Sequence, residues 1–152
     1  MNRASAVFLR QAVDTDMDAV CEMVRMQFRE ELPMLPVAES KLRASVELCH
    51  SRHGVIVSCD QHGVPVGTLG VVTDAPFWYS RVWMIGIWHY VRQAHRQEPH
   101  MRTMLQTVRA TARKLHAPLR IEVWTSDRIK GKTGLLRREL GDAAGALFLM
   151  KD

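Results

Sequence analysis

Val82-Trp83-Met84-Ile85-Gly86-Ile87-Trp88-His89-Tyr90-Val91 is an apolar run followed by the polar, basic turn Arg92-Gln93-Ala94-His95-Arg96-Gln97-Glu98-Pro99. The branched and aromatic residues of the run suit a buried strand. After the turn, Met101, Met104, Leu105, Val108, Ala112 and Leu115 recur at helical spacing and predict one apolar helix face up to about His116. Pro99 fits near the first helical position, because proline has no N–H to leave unsatisfied there. Strand, basic turn and helix N-terminus together make a place for an anion. The first N–H groups of a helix lack partners within it, and its dipole favours negative charge at that end.

Upstream, the residues from Ala6 to Ala12 read as a strand, with Asp14 and Asp16 offering helix caps. Val20, Met23, Val24 and the segment Met26-Gln27-Phe28 predict a first helix from Met17 to about Glu31. Pro33 and Pro36 stop it, since proline disfavours helix in the residue before it. Leu42, Val46 and Cys49 mark a second helix over about 38–51. A hairpin follows, with strands at 54–59 and 64–73 around Asp60-Gln61-His62-Gly63. Gly67 and Gly70 in its second strand signal a bulge or a close backbone approach.

Downstream of the central helix, Leu119 to Thr125 alternates as a half-buried strand. A short basic segment over 126–132 follows, then a helix over about 133–140 ending at Gly141, and a last strand over 145–150. No internal repeat, low-complexity tract or linker divides the chain, so a single domain over 1–152 is expected.

The 152 residues are 47% hydrophobic and 24% charged, ordinary for a soluble globular protein. No apolar run approaches the roughly 18 residues of a membrane span, and the N-terminal segment has no signal-peptide pattern. The expected location is the cytoplasm, with Cys21, Cys49 and Cys59 as buried, reduced thiols. Charge divides unevenly. Residues 1–80 hold 7 Lys and Arg against 10 Asp and Glu, a net of −3, whereas residues 81–152 hold 14 against 6, a net of +8. An anionic partner for the second half, a nucleotide cofactor or nucleic acid, fits that asymmetry, as does a solvated basic face. No interleaving of aromatic and basic residues supports nucleic-acid sequence readout.

The central stretch, with the element order β-α-α-β-β-β-α-β-α-β, resembles the GCN5-related N-acetyltransferases. Their turn after the central strand wraps the pyrophosphate of acetyl-CoA and typically reads Arg or Gln, two residues, Gly, one residue, Gly or Ala. Here Arg96-Gln97-Glu98-Pro99-His100-Met101 keeps the arginine, while Pro99 and Met101 stand where the small residues belong. Glycine admits close backbone approach to a phosphate because it has no Cβ. This glycine-poor turn and the tail Leu135–Phe148 look most like acetyltransferase-like proteins of phages and prophages.

The resemblance implies an α+β fold with a mixed, mostly antiparallel twisted sheet and helices on both faces. It implies acetyl-CoA as cosubstrate, an amine acceptor, and the link between the first two helices lining the acceptor site, near Glu30, Glu31 and Met34. As helix-end charges, Glu30 and Glu31 also fit plain solvation. The expected cofactor-binding residues are Val91, Arg92, Arg96, Gln97, His100, Met101, Arg102 and Ser126.

Amide acetylation needs a base for the amine proton and an acid for the leaving thiolate. The family often uses a tyrosine on its last helix as the acid; here Leu136 falls at that place and no tyrosine follows Tyr90. His89, Tyr90 and Glu122 are the candidate catalytic residues, each set against a packed or surface role. His89 and Tyr90 point to opposite faces of one strand. The histidines and cysteines match no standard zinc spacing, so no metal site is expected. An inactive protein that retains the fold as a structural or interaction module, with a protein partner or a second copy of the chain, remains the alternative.

Overall fold

The computed structural model describes residues 7–75, 77, 80–123 and 129–142. Among these residues five strands form one sheet in the order β1-β2-β3-β4-β5: Phe8–Gln11, Val55–Cys59, Pro65–Asp74, Trp83–Val91 and Leu119–Ile121. The first three pairings are antiparallel and β4–β5 is parallel, which makes the sheet mixed and mostly antiparallel, as expected. Among the described residues four α-helices accompany the sheet: α1 (Met17–Glu31), α2 (Glu39–Ser51), α3 (His100–Lys114) and α4 (Ile129–Leu140).

The sheet separates two apolar layers. Under α1 and α2, Val20, Val24, Leu42, Val46 and Trp88 pack with Val55 and Val57. Under α3 and α4, Leu69, Met84, Val91, Met104, Leu105 and Val108 pack with half-buried Leu135 and Leu136. Alternation along β4 sends Trp88 to the first layer and Val91 to the second.

Three details differ from the sequence reading. Leu115, placed on the apolar face of α3, is 58% exposed because it follows the last helical residue. Asp16 is buried; its carboxylate caps the 3-10 turn Asp14–Asp16 by accepting from Val13 N–H and binds Arg10, but it makes no side-chain cap to α1. Strand β5 is three residues long, and α4 begins at Ile129, inside the segment read as a basic loop. The expected last strand lies outside the described residues.

Candidate functional site

The β4 strand carries the geometry on which a site depends. Opposite the step Gly70–Val71 on β3, β4 runs from Gly86 to Trp88, so Ile87 is an extra residue. Such a bulge bends the strand and increases its local twist. Pairing with β5 stops at the same place, its last partners being Gly86 and Ile121. From Ile87 to Val91 the β4 edge on that side has no strand partner among the described residues.

Two side chains meet this edge. Gln27 on α1 accepts the His89 N–H with its Oε1 at 3.0 Å, and Arg96 donates its Nε–H to the Val91 carbonyl at 2.9 Å. Gln27 in turn donates to Glu31 at 3.0 Å, and Glu31 also receives Lys132 of α4. Glu31 is 2% exposed, so the expectation of a solvated helix-end charge is corrected: it is a buried carboxylate held by an amide and an ammonium. The signal was present in the sequence. Val20, Val24, Gln27 and Glu31 share one helix face, and two polar residues continue its apolar stripe.

The three catalytic candidates occupy different surroundings. His89 is 6% exposed and its Nε2 makes no hydrogen bond among the described residues. Burial, helped by the Lys132 charge, lowers its pKa to about 4, so the ring is neutral at physiological pH and only a weak base. Tyr90 donates its O–H to Glu30 Oε1 at 2.6 Å, and the Arg96 guanidinium lies 5.2 Å from its ring centre. Burial and then the Glu30 carboxylate push the Tyr90 pKa up to about 12, so the phenol keeps its proton. Glu122 follows β5 and pairs with Arg120 at 2.8 Å, away from the other two candidates' hydrogen bonds.

The turn after β4 is a short 3-10 segment, Gln93–His95, leading to α3. The first intrahelical bond of α3 runs from Thr103 N–H to the Pro99 carbonyl, so the N–H groups of His100, Met101 and Arg102 precede it. Every arginine expected to meet phosphate holds a carboxylate. Arg92 pairs with Glu22 at 2.7 Å, Arg96 with Glu30 at 2.6 Å and Arg102 with Glu139 at 2.8 Å. The acidic first half and basic second half thus partly neutralise each other across the fold. Gln97 is exposed, Met101 is half-buried against the α3 layer and His100 is 1% exposed. Ser126 lies outside the described residues.

No protein-family model matches this chain, nor does any curated protein. Solved structures do align with it over nearly their whole length. A GCN5-related N-acetyltransferase from Ralstonia eutropha superposes with a TM-score of 0.74 at 13% identity, covering 95% of this chain and 99% of its own. An acetyltransferase from Trypanosoma brucei gives 0.68 at 16% identity, covering 97% and 99%. A predicted acetyltransferase from Clostridium acetobutylicum, solved with acetyl-CoA, gives 0.70 at 11% identity, covering 95% and 96%. The fold is that of the GCN5-related N-acetyltransferases.

Within this acetyltransferase fold the last helix carries Leu136, half-buried against the core, where a tyrosine was sought. On the other face of the sheet, an apolar hollow of about 330 Å³ lies between α1, α2 and their connecting loop, lined by Phe28, Leu32, Leu35, Val37, Ile87 and Trp88. It reaches β4 at the bulge residue. A wider hollow of about 440 Å³ lies by Arg113, His116 and Pro118, at the end of α3 remote from the turn. The sequence reading passed over one further grouping. His95, Glu98 and His100 converge within the turn, their nearest ligand atoms all within 4.8 Å of one another. Its two histidines match no standard zinc spacing along the chain, and its central member is a glutamate.

Proposed function

We propose that this chain is an acetyltransferase-like protein that binds acetyl-CoA and transfers the acetyl group to an amine. One observation carries the reading: β4 bulges at Ile87, its pairing with β5 ends at Gly86, and among the described residues Gln27 meets the His89 N–H and Arg96 the Val91 carbonyl beyond that point. A bound thioester would replace Gln27 at the His89 N–H, which suits the negative charge that develops on its carbonyl oxygen. The pyrophosphate would lie against the N–H groups at the start of α3, with Arg92, Arg96 and Arg102 around it. A Clostridium acetobutylicum protein of the same fold was solved with acetyl-CoA, which supports the choice of ligand.

In the reaction the amine nitrogen forms a bond to the thioester carbonyl carbon, and the carbon–sulfur bond then breaks to release CoA thiolate. Tyr90 and Glu30 form the best-placed proton-handling pair. The phenol keeps its proton at neutral pH and is hydrogen-bonded to Glu30, so its transfer to the departing thiolate would be coupled to Glu30 taking the amine proton and passing it back along the same hydrogen bond to the phenolate oxygen. The apolar hollow ending at Ile87 would receive the body of the acceptor. In keeping with its resemblance, the protein is of the phage or prophage type with a glycine-poor turn, and it acts in the cytoplasm.

A second reading has its own support. Gln27 occupies the cleft amide, the turn arginines all hold carboxylates, and Pro99 and Met101 replace small residues. An inactive protein that keeps the fold for interaction with a protein partner would show these features. Calorimetric titration with acetyl-CoA separates the two. Saturable 1:1 binding, weakened roughly tenfold or more in Arg96→Ala with the fold intact, is expected from loss of a charge-assisted bond of about 1.5–3 kcal/mol. Absence of saturable binding overturns the acyl-transfer reading and leaves the second.

A further inference from the structure

We propose that His95, Glu98 and His100 form a binding site for one divalent transition-metal ion of the zinc class. The Glu98 carboxylate stands between two imidazoles, with Oε2 2.8 Å from His100 Nε2 and Oε1 3.4 Å from His95 Nδ1. Tetrahedral coordination at about 2.0–2.1 Å from each donor needs donor separations of about 3.3 Å; the two contacts, made to different oxygens of Glu98, bracket that value, and with all three donors within 4.8 Å of one another the side chains would draw in around an ion. The His95 and His100 rings stand edge to face, 5.8 Å between centres and 84° between planes. Their nitrogens therefore reach the carboxylate from different directions, as faces of a polyhedron require.

Two independent observations point to a ligand. The first is His95 Nδ1, which is buried and makes no hydrogen bond among the described residues, facing Glu98 only at the longer ion-pair distance of 3.4 Å. The second is the outer support of His100. Its Nδ1 meets Ser58 Oγ on β2, where Ser58 is 0% exposed, leaving Nε2 directed at the cluster. Metal-binding histidines are commonly fixed in this way through their other ring nitrogen. The backbone adds to the arrangement, since Glu98 N–H donates to the His95 carbonyl at 3.1 Å and brings both side chains to one side of the turn.

Two imidazoles and a carboxylate select zinc, cobalt, nickel or copper over magnesium or calcium, which take oxygen ligands. Three protein donors leave a coordination position open. The side chains of His95 and Glu98 are 26% and 32% exposed, so solvent reaches that position. The site shares the turn that the proposed function assigns to the pyrophosphate, but it uses side-chain donors where the pyrophosphate would use backbone N–H groups, so metal binding is measured separately from acyl transfer.

The test is zinc binding by the intact chain in competition with a chromophoric chelator, with the visible spectrum of added cobalt reporting coordination. One ion per chain is expected. His95→Ala and Glu98→Gln should each weaken binding by at least the roughly tenfold that loss of an outer-shell partner produces, and Ser58→Ala by about tenfold. His62→Ala, an exposed histidine in the Asp60–Gly63 turn, should bind as wild type. The metal-free melting temperature of His95→Ala serves as the folding control. Equal zinc affinity in wild type, His95→Ala and Glu98→Gln, or no binding by the wild type, overturns the proposal.

Discussion

Replacing His89 with leucine should change how stability depends on pH more than it changes stability at pH 7. In the folded protein burial, with Lys132 nearby, holds His89 at about 4, against an ordinary value near 6.5. Between those values the unfolded chain binds a proton at this position and the folded chain does not. Stability therefore rises with pH through the window and is lost as pH falls from about 6.5 toward 4. Integrating the difference gives about 2 kcal/mol lost by the wild type between pH 7 and pH 5 through this group. For a chain of this size that corresponds to roughly 4–8 °C in melting temperature.

His89→Leu cannot titrate, so its melting temperature should fall by that much less over the same interval. Asp16 and Glu98, whose carboxyls are held below their usual range by Arg10 and His100 respectively, are present in both proteins and cancel in the comparison. Urea or thermal unfolding of both proteins at pH 7, 6 and 5 measures the difference. Parallel curves would refute the reasoning, because they would mean that the ring finds solvent or a partner when protonated.

Two further outcomes follow from the packing around the cleft. Gly70→Ala should cost about 1–3 kcal/mol, because a Cβ there falls 2.3 Å from the indole ring of Trp88 in a close-packed layer. The cost should shrink in a Trp88→Leu background, and a cost independent of Trp88 in a double-mutant cycle would contradict the account. Lys132→Met should destabilise by about 1–3 kcal/mol, since it strips the charged partner from the buried Glu31 while the lysine's own partial exposure moderates the loss. Adding Glu31→Gln should recover part of it, and urea unfolding of an unaffected Lys132→Met protein would count against the buried pair.

The sequence by itself determined most of the element order, because each element carries a local signal. The apolar run at 83–91 and the helical stripe Met104, Leu105, Val108 and Ala112 lie where periodicity put them, and the prolines after Glu31 end α1 as expected. Gly70 announced a close approach, and the structure supplies the partner, Trp88. The short β5 was less legible, since its three residues are set by pairing with Met84, Ile85 and Gly86 rather than by its own alternation. Only the tertiary structure decided what the turn and the cleft hold. Arg92 and Arg96 read as cofactor-binding residues, yet α1 brings Glu22 and Glu30 to them, and Lys132 reaches Glu31 across 101 positions of chain. His89 fitted a packed, hydrogen-bonded core role; the structure buries it but leaves Nε2 without a hydrogen bond among the described residues, and its low pKa comes from that burial among elements distant in sequence. Charge pairing and desolvation depend on what surrounds a group in space, and neither follows from the order of residues along the chain.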